Sequence, residues 1–237
     1  MRSHSWRDIS SGNNQKSNLF RCGTETDNAP DSSRAVENLP VLRVFISLNP
    51  PPGIVGKLVE IQAHLRATLE KRFPAGPWRI RWTRPDQLHM TVLFLGNVFQ
   101  HQVDDLRRQV EQVVESVPRL PALKLQGFGC FPAFRHPRVI WFGAAPNSDF
   151  DLLQSALLDC FSRQLSLDNR DRSYPHLTLA RSGSNPLPAE LSAVLAGLTR
   201  AENAPSLPWE VRSVALMQSV QGPQGSEYTC LAQFPSA

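Results

Sequence analysis

Two short stretches of this chain repeat one unusual pattern. Leu88-His-Met-Thr-Val-Leu-Phe94 and Pro175-His-Leu-Thr-Leu-Ala180 each set a histidine and a threonine two positions apart in an otherwise apolar run. Such runs predict β-strands. Alternate side chains of a strand project to the same face. His89 and Thr91 therefore share a face, as do His176 and Thr178, while Met90, Val92, Leu177 and Leu179 are left to bury on the other. A fold holding both runs must cover one face of each strand and leave the other open around an imidazole and a hydroxyl.

The rest of the chain supplies the cover. Leu42–Leu48 reads as an opening strand, broken by Pro50-Pro-Pro-Gly53. Helical spacing follows over Ile54–Phe73, then over Val103–Val117 and Phe150–Leu165, with a further short helix expected over Pro186–Leu198. Strands are expected at Ile80–Trp82, at Leu123–Phe131 paired with Val139–Phe142, and at the end as Trp209–Met217 and Tyr228–Phe234 around a turn at Gly222 and Gly225. Hairpins mixed with strand–helix alternation indicate an α+β class rather than a doubly wound parallel sheet.

One His-x-Thr run alone reads as a satisfied core or edge histidine. Two in matched contexts, about ninety residues apart, point to a site. Opening a cyclic phosphate in line needs a base for the attacking oxygen and an acid for the departing one. Imidazole titrates near neutrality and can serve as either. Threonine hydroxyls, stiff at χ1, can donate to phosphate oxygens. Arg181, expected just past the second strand, adds a forked cation suited to phosphate. Paired histidines also bind zinc, but neither run carries a carboxylate or cysteine at ligand spacing, so no metal is assigned.

These residues resemble the 2H phosphoesterases, and most closely the RNA 2′,3′-cyclic phosphodiesterase group historically named 2′-5′ RNA ligase. The resemblance runs from about Leu42 to Phe234. It is carried by both His-x-Thr runs with Arg181, by Pro50-Pro51, Arg81-Trp82, Pro85, Phe94-Leu-Gly96, Gly127 through Pro132, Pro137-Arg-Val139 with Trp141, and Pro175. It implies a bilobal fold with pseudo-two-fold symmetry, two antiparallel sheets flanking a central cleft and helices outside. It further implies His89 as general acid to the leaving 3′ oxygen and His176 as general base to water. Thr91, Thr178 and Arg181 would hold the phosphate, and the product would be a 2′-phosphate. No metal or nucleotide cofactor is implied, and a weak reverse 2′-5′ ligation is. The partners expected are RNA or oligonucleotide ends bearing 2′,3′-cyclic phosphate, met by a monomer without an obligate protein partner. A relative acting on another cyclic or 2′-5′ linked nucleotide, or a non-catalytic RNA-binding module, are the alternatives.

Other residues are less committed. Phe131, Phe134, Arg135 and His136 lie in or beside a proline-bounded loop that could approach a base. Trp82 and Trp141 are expected in the core. Arg79, Arg81 and Arg84 cluster before the first motif, and Tyr174 precedes the second.

Residues 1–40 form a polar, aperiodic extension expected to be disordered, and 41–237 the folded domain. The first 38 residues carry five cations and five anions, so the chain's net charge of +4 sits on the rest. The opening residues show no apolar run of the secretory kind, and no stretch is long and apolar enough to span a membrane. Cys22, Cys130, Cys160 and Cys230 show no metal-binding spacing and are expected as reduced, mostly buried thiols of a cytoplasmic protein. Removing residues 1–38 is expected to leave the thermal unfolding midpoint of the remainder unchanged, measured by circular dichroism; a lowered midpoint would show that the extension packs on the domain.

Overall fold

The computed structural model describes residues 40–74, 79–132, 137–168, 172–183, 187–222 and 225–235; the extension before residue 40 lies outside them. In chain order the elements are β1 (Val41–Leu48), α1 (Pro52–Arg72), β2 (Ile80–Trp82), β3 (Met90–Phe99), α2 (Val103–Ser116), β4 (Ala122–Phe131), β5 (Val139–Ala144), α3 (Ser148–Leu165), β6 (His176–Ser182), α4 (Leu191–Arg200), β7 (Ser206–Glu210), β8 (Ser213–Gly222) and β9 (Gly225–Pro235). The class is α+β.

Local chemistry sets the helix ends. Pro52 opens α1, where its fixed φ suits the first turn and its missing N–H costs nothing. The Asn147 side chain accepts from the Phe150 amide and caps α3, which ends at Ser166 in the left-handed region. Each helix buries one stripe: Leu58, Ile61, Leu65 and Leu69 on α1, Leu106, Val110, Val113 and Val114 on α2, Phe150, Leu153, Leu157 and Phe161 on α3. These stripes share one core with Met90, Val92, Leu177 and Leu179, all fully buried as the motif pattern requires.

Hydrogen bonding runs β7-β4-β5-β6-β3-β1-β8-β9, all antiparallel, with β2 added on β6. The two expected sheets are the halves of this order. They are continuous through one residue pair, Met90 with Leu177. Continuing that antiparallel register one residue each way sets His89 against Thr178 and Thr91 against His176. The pseudo-two-fold axis of the domain passes through this pair.

Each motif strand carries a β-bulge one residue after its threonine. Against β1, Thr91 pairs with Ser47 and Leu93 with Ile46, leaving Val92 extra. Against β5, Thr178 pairs with Trp141 and Ala180 with Ile140, leaving Leu179 extra. A bulge shifts which residues share a face. The bulged carbonyls are then claimed by glutamines from the helices. Gln154 Nε2 of α3 donates to Val92 O at 2.8 Å and to Ser173 O at 2.9 Å. Gln62 Nε2 of α1 donates to Leu179 O and to Thr83 O, both at 2.9 Å. Both glutamines are buried, at 4% and 8% exposure, so each carbonyl they serve would lack that donor without them.

The expected elements are present with three differences. The last strand region is three strands, because β7 pairs with β4 in one half and β8 with β1 in the other, with Val211 and Arg212 between them. The final helix begins later, at Leu191. Of the cysteines, Cys130 is buried and Cys160 half-buried, but Cys230 is exposed. Among the described residues no helix is long and apolar enough to cross a membrane. Replacing Gln154 by Leu should lower stability by about 2 kcal/mol in urea unfolding, the scale of a buried carbonyl left without its partner. An unchanged midpoint would mean that the helix glutamines do not hold the bulges.

Candidate active site

The two motifs build nearly the same local structure twice. His89 Nδ1 lies 2.8 Å from Gln87 O, and His176 Nδ1 lies 2.7 Å from Tyr174 O. In both cases the Nδ1–H donates to a carbonyl two residues back. That fixes the tautomer and leaves Nε2 of the neutral ring with its lone pair. No pattern of residue types marks these carbonyls, because any residue supplies one.

Aromatic rings box each imidazole. Phe45 and Tyr228 flank His89 with ring centroids at 5.0 and 4.6 Å. Phe131 and Trp141 flank His176 at 5.1 and 6.0 Å. Trp141 is therefore not a core residue as expected. It is half-buried and lies flat across β4 and β5, where a Cβ on Gly129 would come within 2.1 Å of its indole. Trp82 is also half-buried and lines the cleft.

A cleft of about 380 Å³ opens beside the junction of the two halves, lined by His89, Thr178 and Arg181 together with Arg81, Arg84, Gln87, Glu227 and Tyr228. Arg181 lies within β6, not past its end. Plain alternation would turn it away from Thr178, but the bulge at Leu179 restores it. Its partner Val139 and Thr178's partner Trp141 stand two residues apart on β5, so Arg181 and Thr178 share a face. Thr91, at 7% exposure, and His176 do not line this cleft. His176 is nevertheless close enough to His89 to act on its titration.

The arginines that precede the first motif separate. Arg81 pairs in register with Arg181 and lines the cleft, its guanidinium lying against Gly225 at the tip of the β8–β9 hairpin. Arg84 also lines it and forms an ion pair with Asp86 at 3.3 Å. The Arg79 carbonyl accepts from the Gly183 amide. Tyr174 is exposed, and its ring sits 5.2 Å from that of Trp141. Phe134, Arg135 and His136 lie outside the described residues.

Burial depresses both imidazoles. It pushes the His89 pKa down to about 4 despite the Gln87 carbonyl, with Arg181 and then His176 adding to the fall. His176 is lowered for the same reason, with Arg181 again contributing against the Tyr174 carbonyl. Both rings are neutral at pH 7 in the free protein. Among the described residues, no group of three or more His, Cys, Asp or Glu is placed to hold a metal ion. The arrangement offers a neutral imidazole, a hydroxyl and a guanidinium lining the cleft, with a second neutral imidazole of fixed tautomer across the β3–β6 junction, which suits proton transfer on either side of an anion.

Comparison with known proteins identifies the family. The profile of the 2′-5′ RNA ligase superfamily matches residues 82–223. An RNA 2′,3′-cyclic phosphodiesterase of Thermus thermophilus is 30% identical over 199 residues, spanning 81% of this chain and 89% of that protein. One from Archaeoglobus fulgidus is 25% identical over 195 residues, spanning 81% and 99%. Among solved structures, a Thermus thermophilus protein superposes with a TM-score of 0.61 at 27% identity, covering 82% of this chain and 98% of that one. Apo LigT of E. coli gives 0.55 at 25% identity, covering 82% and 97%. The chain belongs to the 2′-5′ RNA ligase superfamily.

Proposed function

We propose that this chain is a hydrolase that opens 2′,3′-cyclic phosphates at RNA ends to leave a 2′-phosphate, with His89 as general acid and His176 as general base. One observation carries the mechanism. The two histidines stand at equivalent positions about the pseudo-two-fold axis, each with Nδ1 tied to the carbonyl two residues back. The relatives named as RNA 2′,3′-cyclic phosphodiesterases support the substrate class.

In this reading His176 Nε2 takes a proton from water as its oxygen bonds to phosphorus. The bond from phosphorus to O3′ breaks, and His89 Nε2 delivers a proton to that oxygen. Thr91, Thr178 and Arg181 hold the non-bridging oxygens. Solvent then returns each histidine to its starting state. With the 5′-hydroxyl of a second RNA end in place of water, the same ring opening forms a bond from that oxygen to phosphorus as O3′ leaves, and the same pair performs a weak 2′-5′ ligation as a secondary activity.

The depressed titration of His176 suits a base that must be neutral. His89 poses the opposite requirement, and substrate meets it. Burial is the main force against the imidazolium, with the Arg181 charge adding to it; a bound phosphodiester anion favours the imidazolium against both, so protonation of His89 is coupled to binding. Affinity for a phosphate anion should therefore rise as the pH falls below neutrality.

Purified protein in EDTA, given an oligonucleotide with a 2′,3′-cyclic phosphate end, should yield a 2′-phosphate by phosphorus NMR. His89→Ala and His176→Ala should each slow turnover by at least ~10²-fold. A 3′-phosphate product would reverse the leaving oxygen. A dependence on added divalent ions would overturn the metal-free mechanism, and near-normal turnover by either variant would remove its role.

The His89 titration also links to stability. Its folded pKa, about 4, lies below the ordinary value of 6.5. The unfolded chain therefore binds the proton first as pH falls. The stability associated with a neutral His89 is complete above the ordinary value and declines as pH drops from 6.5 toward 4. His89→Gln should flatten that decline in urea unfolding measured at the two ends of the window. An equal loss in both proteins would show that His89 titrates as an exposed imidazole.

A further inference from the structure

A second pocket, of about 330 Å³, opens beside the cleft already described. The two share Gln87, His89 and Tyr228, so the imidazole and the phenol ring stand as a partition between them. Tyr228 meets the imidazole edge-on, at an interplanar angle of 72°. The far wall comes from the proline run that opens α1, with Pro50, Pro52 and Val55, and from Asp86 just before the first motif.

The two cavities differ in charge. Arg81, Arg84 and Arg181 line the cleft, whereas among the described residues no arginine or lysine lines the pocket, and Asp86 there repels anions. A phosphate suits the first and not the second. A mostly apolar pocket with a few fixed polar groups suits a neutral, flat ligand. Asn49 is one such group. Its Oδ1 accepts from the Ser47 hydroxyl at 2.9 Å, which holds the amide in place. Its Nδ2 meets only the Met217 sulfur among the described residues, at 3.8 Å. Thioether sulfur is a weak acceptor, so that amide keeps donor capacity for a ligand.

The connectivity of the substrate decides what reaches this pocket. In the reading above, O3′ leaves from His89. O3′ is carried by C3′, and C3′ is bonded to C4′, from which the strand runs back towards its 5′ end. The strand therefore departs on the His89 side of the phosphorus, and His89 is the wall that the pocket shares with the cleft. We propose that this pocket receives the nucleoside preceding the cyclic end, with Tyr228 as its stacking wall and Asn49 as a donor to it. It rests on the cyclic phosphodiesterase reading for the identity of its ligand. The full site then takes two nucleosides, and a cyclic mononucleotide fills only part of it.

The test compares kcat/KM for two substrates that carry the same phosphates: a diadenosine dinucleotide ending in a 2′,3′-cyclic phosphate, and adenosine 2′,3′-cyclic phosphate with a 5′-phosphate. The unaltered protein should favour the dinucleotide by at least about tenfold, the scale of one stacked base. Val55→Trp, which fills the pocket from α1, should bring the two within a few-fold of each other and leave the mononucleotide unchanged; a thermal melt checks that it folds. No gap in the unaltered protein, a gap that survives Val55→Trp, or an equal loss on both substrates would each overturn the proposal. Calorimetry with the two corresponding 2′-phosphate products separates this proposal from the wider reading. Hydrolysis of both substrates without a gap sinks only the pocket. No hydrolysis, with a product affinity gap that Val55→Trp removes, sinks only the assigned reaction.

Discussion

The site depends on how two strands touch. Met90 and Leu177 form the pair by which β3 and β6 are joined, and both side chains are fully buried. A single antiparallel pair fixes the facing of its neighbours. With Met90 and Leu177 turned into the core, His89, Thr91, His176 and Thr178 are turned out together. The junction alone would be weak, since one ladder pair cannot resist a slip in register. Gln62 and Gln154 reinforce it from behind by holding the carbonyls of Leu179 and Val92. Each of these carbonyls belongs to a bulged residue, so the clamp holds the feature that sets facing farther along each strand.

The same device relates packing to electrostatics. Wedging the imidazoles among rings on the cleft side keeps water from them and lowers their affinity for protons. The carbonyls at Gln87 and Tyr174 oppose that fall only in part while they fix the tautomer. In the proposed mechanism the free site stands one proton short of what acid–base cleavage needs. In the proposed cycle an anion supplies the missing electrostatic balance, which couples occupancy to readiness.

Much of this was legible in the sequence. The period-two pattern around His89 and His176 predicted which of Met90, Val92, Leu177 and Leu179 are buried, and the helical stripes of α1, α2 and α3 were clear. What was hidden depends on register. Alternation turns Arg181 away from Thr178, and only the extra residue Leu179 turns it back. A bulge leaves no mark in composition when its residue is an ordinary leucine or valine. Trp141 misled for a related reason. A tryptophan in an apolar strand usually packs in the core, but Gly129 and Gly143 leave a flat strip on the cleft side where the indole lies down. The glutamines were invisible as well, since a polar residue on a helix is ordinarily taken for a solvated one.

The order of strands in the sheet carries a consequence for the making of the protein. The half that contains His89 runs β3-β1-β8-β9, so its outer strands come from the C-terminal end of the chain. Tyr228, which leans on His89, arrives with the last of them. Meanwhile α1, synthesised early, clamps β6, and α3 clamps the much earlier β3. During translation the first histidine thus waits for Tyr228 until β9 has been made. A nascent chain stalled before Ser213 would hold both motifs and still lack two strands of the half that holds His89.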